Sequence, residues 1–232
     1  MITSVNNEKI KELAKLNTAK GRKEAQMFIV EGPHLVLEAK ECGVLLETYT
    51  TSEEYEGNLV SEAVMKKLCN TMTPTSVIGI CKMFEHEKVC GHILALDGVQ
   101  DPGNMGSLMR SAVSFGFDTI LLGDGCVDIY NDKVIRSSQG AFFKLTFIKT
   151  NLVEYLTSLE DYKIYSTNVK NGKSVLDVEK TEKMVLILGN EGQGVSEEIN
   201  NLNFDNLYIP LKNMESLNVS VAGGILMYEL TK

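Results

Sequence analysis

Three segments of the chain combine glycines with polar side chains that could bind a ligand or take part in a reaction. The first, residues 96–110, reads LDGVQDPGNMGSLMR and places Asn104 and Arg110 six residues apart. This spacing is not quite two turns of a helix, so we expect both side chains to lean toward one ligand. Gly103 and Gly106 would let the backbone of a partner approach closely. The alternative interpretation is a capped helix with an exposed arginine.

The second segment, residues 184–196, reads MVLILGNEGQGVS and is a glycine-rich turn that follows an apolar strand. Such a turn often cradles a cofactor, although a tight structural turn is the alternative interpretation. Its glycine order is GxxGxG rather than the GxGxxG of dinucleotide-binding folds, and the chain contains no GxxxxGKS/T phosphate loop. Glu191 within the turn would repel a pyrophosphate. We therefore expect a ligand that is uncharged or cationic at this point, such as a sulfonium attached to an adenosine.

The third segment, residues 207–224, reads LYIPLKNMESLNVSVAGG. Ser216 can cap the N-terminus of the last helix, and Asn218 then follows in its first turn. Gly223 and Gly224 would each cost this helix about 1 kcal/mol relative to alanine. Close packing of another element against them would compensate for this cost, whereas an ordinary capped helix is the alternative interpretation.

The hydrophobic pattern and the turn residues divide the chain into two domains. A polar stretch at residues 84–91 separates two apolar strands, so we predict an N-terminal domain of residues 1–88 and a second domain of residues 89–232. In the first domain we predict helices at 7–17, 33–42 and 61–69 and strands at 27–30, 44–50 and 76–83. This combination predicts a small α/β domain.

In the second domain, strands alternate with helices, which predicts a parallel sheet with helices on both faces. The predicted strands are 92–99, 119–122, 145–148, 163–167, 184–188 and 207–209, and the predicted helices are 104–115, 132–139, 152–159, 196–201 and 217–230. Each of the three polar segments follows or overlaps the end of a strand. Because ligands gather at the carboxyl ends of parallel strands, we expect these segments to form one site.

Together the three segments resemble the signature of the SpoU (TrmH-like) branch of the SPOUT RNA methyltransferases. The matching motifs are NxGxxxR at Asn104, Gly106 and Arg110, LGNEGxG at 188–194, and IP at 209–210 followed by SLNVSVA at 216–222. Their order and spacing agree over about residues 92–230. The shorter run at residues 20–32 also resembles this branch's substrate-binding domain, a ribosomal-protein-like α/β fold.

The resemblance implies an α/β fold in which a trefoil-knotted, parallel-sheet SPOUT domain follows the substrate-binding domain. It also implies a homodimer with the site at the interface, and methyl transfer from S-adenosylmethionine to a ribose 2′-hydroxyl of structured RNA, for which we favour 23S rRNA. The cofactor-binding residues it implies are Leu188, Gly189, Gly192, Ile209, Leu211 and Leu217, and the catalytic residues are Asn104, Arg110, Glu191, Ser216 and Asn218. Leu211 departs from the family pattern, which often has Met there, and Gly223-Gly224 stand where Ala is frequent.

Three alternatives remain open on the same fold: methylation of a tRNA ribose, methylation of a base, and a non-catalytic role in RNA binding or ribosome assembly. The formal net charge of −8 argues against a generic polyanion binder. Positive charge is nevertheless concentrated near the N-terminus, at Lys9, Lys11, Lys15, Lys20, Arg22 and Lys23. We predict that Lys20, Arg22 and Lys23 bind RNA phosphates, and a solvated helix face is the alternative.

Cysteine usage and the N-terminus favour the cytoplasm. The five cysteines include no CxxC pair, which is typical of a reducing compartment. The N-terminal residues lack the pattern of a signal peptide, and no apolar run approaches the about 18 residues of a membrane span. His86, Cys90 and His92 lie close in sequence, but they lack the usual paired ligand spacing, so we expect no metal site.

Overall fold

The three polar segments all belong to one of two units into which the chain divides. The computed structural model describes residues 1–84, 88–169, 171–179 and 181–232. The first unit comprises Met1–Glu85 and Asp128–Phe143, and the second comprises His86–Val127 and Lys144–Lys232. The sequence placed residues 128–143 in the second domain, whereas the structure packs them with the first unit. The boundary between residues 88 and 89 itself stays a prediction.

The helices and strands follow the predicted order along the chain. The α-helices are α1 Glu8–Ala14, α2 Ala19–Ala25, α3 Pro33–Glu41, α4 Glu62–Leu68, α5 Pro102–Ser114, α6 Asp132–Ser138, α7 Leu152–Thr157, α8 Glu197–Asn200 and α9 Val219–Thr231. The strands are β1 Met27–Glu31, β2 Leu45–Thr50, β3 Asn58–Leu59, β4 Val77–Lys82, β5 His92–Leu96, β6 Phe117–Leu122, β7 Thr146–Lys149, β8 Lys163–Thr167, β9 Lys173–Ser174, β10 Met184–Leu188 and β11 Asp205–Tyr208. Every predicted element has a counterpart, and α2, β3 and β9 are the elements that the sequence did not predict. Among the described residues, no helix has the length and apolarity needed to span a membrane.

The first unit is built on a four-stranded sheet with the order β1-β4-β2-β3. The apolar residues of α1 and α4 pack on one side of it around Tyr49 and Ile78. Elsewhere in this unit, Phe28 of β1 meets the rings of Tyr130 and Phe142, with centroids 5.1 and 5.6 Å away. These aromatic contacts explain why residues 128–143 join the first unit, because they bury apolar surface that strand β1 would otherwise expose.

Helix α2 was not predicted from the sequence, and it contains Gly21, a residue that is unfavourable inside a helix. The structure shows why glycine is needed there: a Cβ at this position would lie 2.1 Å from the carbonyl oxygen of Lys15. Thr18 caps the helix by accepting a hydrogen bond from the backbone N–H of Gly21 at 3.0 Å. The close approach of two backbone segments therefore selects the glycine.

The structure corrects the role predicted for Arg22 as an RNA contact. Arg22 is only 5% exposed, and its guanidinium donates to the carbonyl oxygen of Leu16 at 3.1 Å. Its other terminal nitrogen lies 2.5 Å from Oδ2 of Asp128 in an ion pair. Because the side chain is buried and each of its terminal nitrogens has a partner inside the unit, it holds α2 to residue 128 and is not presented to a phosphate.

Much of the remaining positive charge near the N-terminus is paired with carboxylates. Lys9 lies 2.7 Å from Glu47, Lys11 lies 3.1 Å from Glu8, and Lys15 lies 2.8 Å from Glu12. Lys20 lies 3.8 Å from Glu24, and Lys23 is exposed on the same helix. The candidate phosphate-binding surface is therefore reduced to Lys20 and Lys23 on α2.

The second unit is built on a seven-stranded sheet with the order β7-β6-β5-β10-β8-β11-β9. All its pairs are parallel, as predicted. Strand β10 is fully buried and lies between β5 and β8, so the first and second polar segments leave the sheet side by side. The parallel α/β architecture is thus confirmed, and the trefoil knot stays a prediction.

We predict that Asp128→Ala lowers the free energy of unfolding by about 2 kcal/mol, because it leaves the buried guanidinium of Arg22 without its counter-charge. This is less than the about 3–5 kcal/mol of a fully buried pair, since the Asp128 side chain keeps 37% of its surface exposed. Urea denaturation followed by circular dichroism measures the change. Glu24→Ala, which removes the exposed partner of Lys20, serves as the control and should cost under about 0.5 kcal/mol. Equal effects of the two variants would contradict the structural role of Arg22.

Candidate active site

The glycine-rich turn at residues 189–194 is closed on itself by backbone hydrogen bonds. Asn190 and Gly194 exchange two N–H to carbonyl bonds, both of 2.9 Å. A Cβ at Gly189 would lie 2.1 Å from the carbonyl carbon of Gly194 and from the backbone nitrogen of Val195. Those obstacles are backbone atoms that cannot move aside, so residue 189 must be glycine for the turn to close.

Asn190 ties this turn to the end of strand β5. Its Oδ1 accepts hydrogen bonds from the backbone N–H groups of Gly192 and Gln193 at 2.9 and 3.2 Å. Its Nδ2 donates to the carbonyl oxygen of Gly98 at 2.8 Å. The sequence analysis did not single out Asn190, although its place between two loop glycines is a usual position for a side chain that bonds to its own turn.

Asp97 makes a second connection between the same two segments. Its Oδ2 accepts a hydrogen bond from the backbone N–H of Ser196 at 2.7 Å, just before α8 begins. Its own backbone N–H donates to the carbonyl oxygen of Leu188 at 2.9 Å. Sequence analysis missed this residue too, and the available signal was a carboxylate directly after a buried apolar strand.

The carboxylate of Glu191 is surrounded by donors from the first segment. Oε1 accepts from the backbone N–H of Asp101 and from Nδ2 of Asn104, both at 3.1 Å. Oε2 accepts from the backbone N–H of Gln100 at 3.2 Å. Partial burial raises the pKa of this carboxyl, but the donated hydrogen bonds outweigh it, and the pKa lies below its ordinary value. Glu191 is therefore a fixed anion at neutral pH.

The third segment joins the cluster through Asn218. Its Nδ2 donates to Oδ1 of Asn104 at 3.0 Å, while its Oδ1 accepts from the backbone N–H groups of Ser220 and Val221 at 2.9 and 3.4 Å. Asn218, and not Ser216, is thus the N-cap of the last helix, which begins at Val219. The predicted cap is corrected because the chain before Asn218 is an exposed loop.

The side chain of Arg110 is not part of the hydrogen-bonded cluster of Asn104, Glu191 and Asn218. It is exposed on α5, and within the described parts of the chain its guanidinium forms no hydrogen bond or ion pair. At about 100° of rotation per helical residue, positions six apart point about 120° away from each other. Helix geometry therefore does not favour the expectation that Asn104 and Arg110 lean toward one ligand within a single chain, and that expectation stays a prediction. Neither side chain borders the cavity described next.

A cavity of about 520 Å³ lies beside the turn, at the carboxyl ends of β8, β10 and β11. Its size falls within the usual about 300–1,000 Å³ of small-molecule sites. All six predicted cofactor residues line it: Leu188, Gly189, Gly192, Ile209, Leu211 and Leu217. Glu191 and Ser216 also line it, as do Thr167 and Asn168 at the end of β8, which the sequence analysis missed.

The close packing expected at the paired glycines of α9 is present at the first of them. A Cβ at Gly223 would lie 2.5 Å from Cδ2 of Leu108 on α5 and 2.7 Å from Cδ1 of Leu188. A Cβ at Gly224 would meet Oγ of Ser111 at 3.4 Å, which is a milder contact. Gly223 therefore lets α9 sit against both α5 and the end of β10, next to the cavity.

The described residues contain no group of three or more His, Cys, Asp or Glu side chains that could hold a metal ion. His86, one of the trio noted in the sequence, lies outside the described residues.

Comparison with known proteins relates both parts of the chain to RNA methyltransferases. A family model described as the SpoU rRNA Methylase family matches residues 91–228, and the MRM3-like substrate binding domain matches residues 7–79. The 23S rRNA (guanosine(2553)-2′-O)-methyltransferase RlmP of Bacillus subtilis (strain 168) is 38% identical, over 99% of this chain and 98% of that protein.

Two solved structures resemble almost the whole chain. A putative RNA methyltransferase of the TrmH family from Porphyromonas gingivalis superposes with a TM-score of 0.86 at 29% identity, covering 98% of each chain. The AdoMet-bound rRNA methyltransferase from Sinorhizobium meliloti superposes with a TM-score of 0.86 at 25% identity, covering 99% of this chain and 96% of that one.

We predict that Asn104→Ala raises the pKa of the Glu191 carboxyl, because one of its donors is lost and donated hydrogen bonds favour the ionised form. Carbon-13 NMR titration of the glutamate carboxyls measures the change. A depressed pKa means that these contacts stabilise the fold at neutral pH and are lost as the pH falls through the folded pKa. Asn58→Ala, an amide of the first unit, should leave the titration of Glu191 unchanged. An unchanged Glu191 midpoint in Asn104→Ala would contradict the assignment.

Proposed function

The chain belongs to the SpoU rRNA methylase family, and from this membership we propose that it is an enzyme that methylates a ribose 2′-hydroxyl of RNA with S-adenosylmethionine as the methyl donor. One observation carries the proposal: the three family motifs meet around the Glu191 carboxylate, beside a cavity of cofactor size. A protein that only bound RNA would have no need of a cofactor cavity joined to such a cluster.

The residues of the cavity fit S-adenosylmethionine. Leucine and isoleucine side chains offer an apolar surface to an adenine, and the backbone of the glycine-rich turn supplies polar groups. Glu191 provides a fixed negative charge in the wall, which attracts a cationic sulfonium and repels a phosphate. When bound, this cofactor supplies a methyl group on sulfur whose leaving group is a neutral thioether. We therefore assign the cofactor to this cavity.

The protein's own task is to align the ribose oxygen with the methyl group and to help that oxygen lose its proton to water. Arg110 is a poor base because an arginine side chain stays protonated in proteins. We assign it instead to gripping the neighbouring phosphate and stabilising the developing oxygen anion, which a guanidinium does well. Its lack of partners within the described residues leaves its donors available for this role.

The active form is a homodimer with the site at its interface. Helix α9 exposes Val221, Ile225 and Tyr228 to 51, 37 and 51% of their surface. Their spacing of four and three residues places them on one face, and an apolar face of this kind is typical of an interaction surface.

Sedimentation equilibrium tests the dimer, since Ile225→Asp should shift the monomer–dimer equilibrium toward monomers. A wild-type monomer at micromolar concentration would contradict it.

The RNA is 23S rRNA, because the Bacillus relative that shares almost the whole length with this chain is named for that substrate. The first unit contributes affinity without sequence choice, through Lys20 and Lys23 on α2. We place the enzyme in the cytoplasm, where this RNA is found, and cell fractionation with immunoblotting tests that placement.

We predict that the purified protein transfers labelled methyl groups from S-adenosylmethionine to 23S rRNA from a strain lacking the gene. The label should be recovered in alkali-resistant dinucleotides, since a ribose methyl blocks cleavage of the next linkage whereas a base methyl does not. Arg110→Ala should lower the single-turnover rate about 100-fold or more, as expected for loss of one preorganised donor to a developing anion.

Arg110→Lys distinguishes the roles of the arginine. A lysine keeps the charge but not the planar fork, so it should recover less than about a tenth of the rate. A single-turnover rate of Arg110→Lys close to that of the wild type would show that the planar geometry of the guanidinium is irrelevant. Label found only in mononucleotides would contradict ribose methylation and favour a base methyltransferase.

We predict that the double variant Lys20→Ala, Lys23→Ala binds rRNA more weakly and with a smaller salt dependence. Each lost phosphate contact should reduce the slope of log K against log salt concentration by about 1. Filter binding at several salt concentrations measures this slope. The control replaces Lys40 and Lys66, exposed lysines of α3 and α4, and should change the slope less. The same slope for the wild type and the α2 variant would show that Lys20 and Lys23 do not bind RNA phosphates.

A further inference from the structure

The hydroxyl of Ser220, in the first turn of α9, lies between the two amide oxygens of the site. It donates to Oδ1 of Asn218 at 2.7 Å and lies 3.4 Å from Oδ1 of Asn104. Its backbone N–H also donates to Oδ1 of Asn218, at 2.9 Å. Ser220 thus contacts both asparagines, although the cluster derived from the family motifs does not include it.

The direction of every hydrogen bond in this chain of side chains is determined at its two ends. At one end the Glu191 carboxylate can only accept, so Asn104 must turn its Nδ2 toward it and its Oδ1 away. At the other end the backbone N–H groups of α9 can only donate, so Asn218 must turn its Oδ1 toward them. Its Nδ2 then faces Oδ1 of Asn104, which is the contact observed.

These hydrogen bonds leave little of the donor and acceptor capacity of the Asn104 amide for a substrate. Its Oδ1 is occupied by Asn218 and faces Ser220, and its Nδ2 serves Glu191. Glu191 in turn borders the cavity. The two asparagines therefore connect the start of α9 to the carboxylate, and the hydroxyl of Ser220 is the side-chain donor that, together with two backbone N–H groups, holds Oδ1 of Asn218.

We propose that Ser220 is a positioning residue for methyl transfer: its hydroxyl adds a third donor to Oδ1 of Asn218 and so tightens, through Asn218 and Asn104, the hydrogen-bonded chain that secures the Glu191 carboxylate at the wall of the cofactor cavity. The inference rests on the proposed function for its effect on the reaction. Its structural part, the control of Glu191 through two amides, stands on the contacts alone.

The test compares Ser220→Ala, which removes the hydroxyl, with Ser220→Thr, which keeps one. Ser158→Ala is the control, because the hydroxyl of Ser158 caps α7 by donating to the carbonyl oxygen of Tyr155 at 2.7 Å and lies outside the site. Three quantities are measured on the full chain: the single-turnover methylation rate at saturating RNA, the Kd for S-adenosylmethionine by calorimetry, and the Glu191 carboxyl titration by carbon-13 NMR.

We expect Ser220→Ala to lower the rate about 10-fold, the effect of one lost hydrogen bond felt in the transition state. The Kd for S-adenosylmethionine should change less than the rate, by under about 3-fold, since Ser220 does not line the cavity and Glu191 keeps its backbone donors at Gln100 and Asp101. The titration midpoint of Glu191 should rise, because the amides are freer to turn away from it. Ser220→Thr should restore both the rate and the midpoint, and Ser158→Ala should change neither.

A wild-type rate in Ser220→Ala, or an unmoved Glu191 midpoint, would overturn the proposal. So would equal losses in the alanine and threonine variants, because the hydroxyl would then not be what matters. If the wild-type protein transfers no methyl group to RNA, the proposed function fails separately. The Glu191 titration then decides the positioning role by itself: a midpoint that rises in Ser220→Ala and recovers in Ser220→Thr supports it.

Discussion

The site depends on one interaction at the edge of the sheet, in which donors from the segment after β5 bind the Glu191 carboxylate. A carboxylate taken partly out of water must be compensated, and two backbone N–H groups and one amide do so. These donors exist at that place only if β5 and β10 are adjacent and parallel, with both loops leaving at the same edge. The order of the strands therefore determines where the Glu191 carboxylate lies. Its negative charge favours a ligand that is cationic or uncharged at that point.

The same constraint accounts for the glycines that are selected by contact. Gly189 lets the turn close so that Glu191 is carried back toward β5, and Gly223 lets α9 approach β10 closely enough for Asn218 to reach Asn104. A larger residue at position 189 would meet backbone atoms and keep the turn from closing, whereas one at position 223 would have to displace the side chains of Leu108 and Leu188. Packing and hydrogen bonding thus act together. The glycines allow the three polar segments to approach each other, and the hydrogen bonds of the polar side chains then determine how the segments are oriented.

The longer strands, the parallel sheet and the residues that line the cavity could be predicted from the sequence, because they follow from local hydrophobic patterns and from motifs with a regular spacing. The two-residue strands β3 and β9 are too short to give such a pattern. Sequence analysis failed where a contact joins distant residues or where a glycine is selected by tertiary packing. The sequence predicts Arg22 to be a surface cation, whereas in the structure it pairs with Asp128, which lies 106 residues further along the chain. Helix α2 contains Gly21, which is required by a close contact with the backbone of Lys15 that no local pattern reveals.

If the three segments act on methyl transfer as a single hydrogen-bonded unit, Asn104 and Asn218 depend on each other, and a double-mutant cycle measures that dependence. Single-turnover rates are measured for Asn104→Ala, Asn218→Ala and the double variant. If the two amides belong to one chain of hydrogen bonds, either substitution breaks it, and the double variant should be within about 3-fold of the slower single variant. Losses that multiply in the double variant would show that the asparagines act independently and would contradict the account.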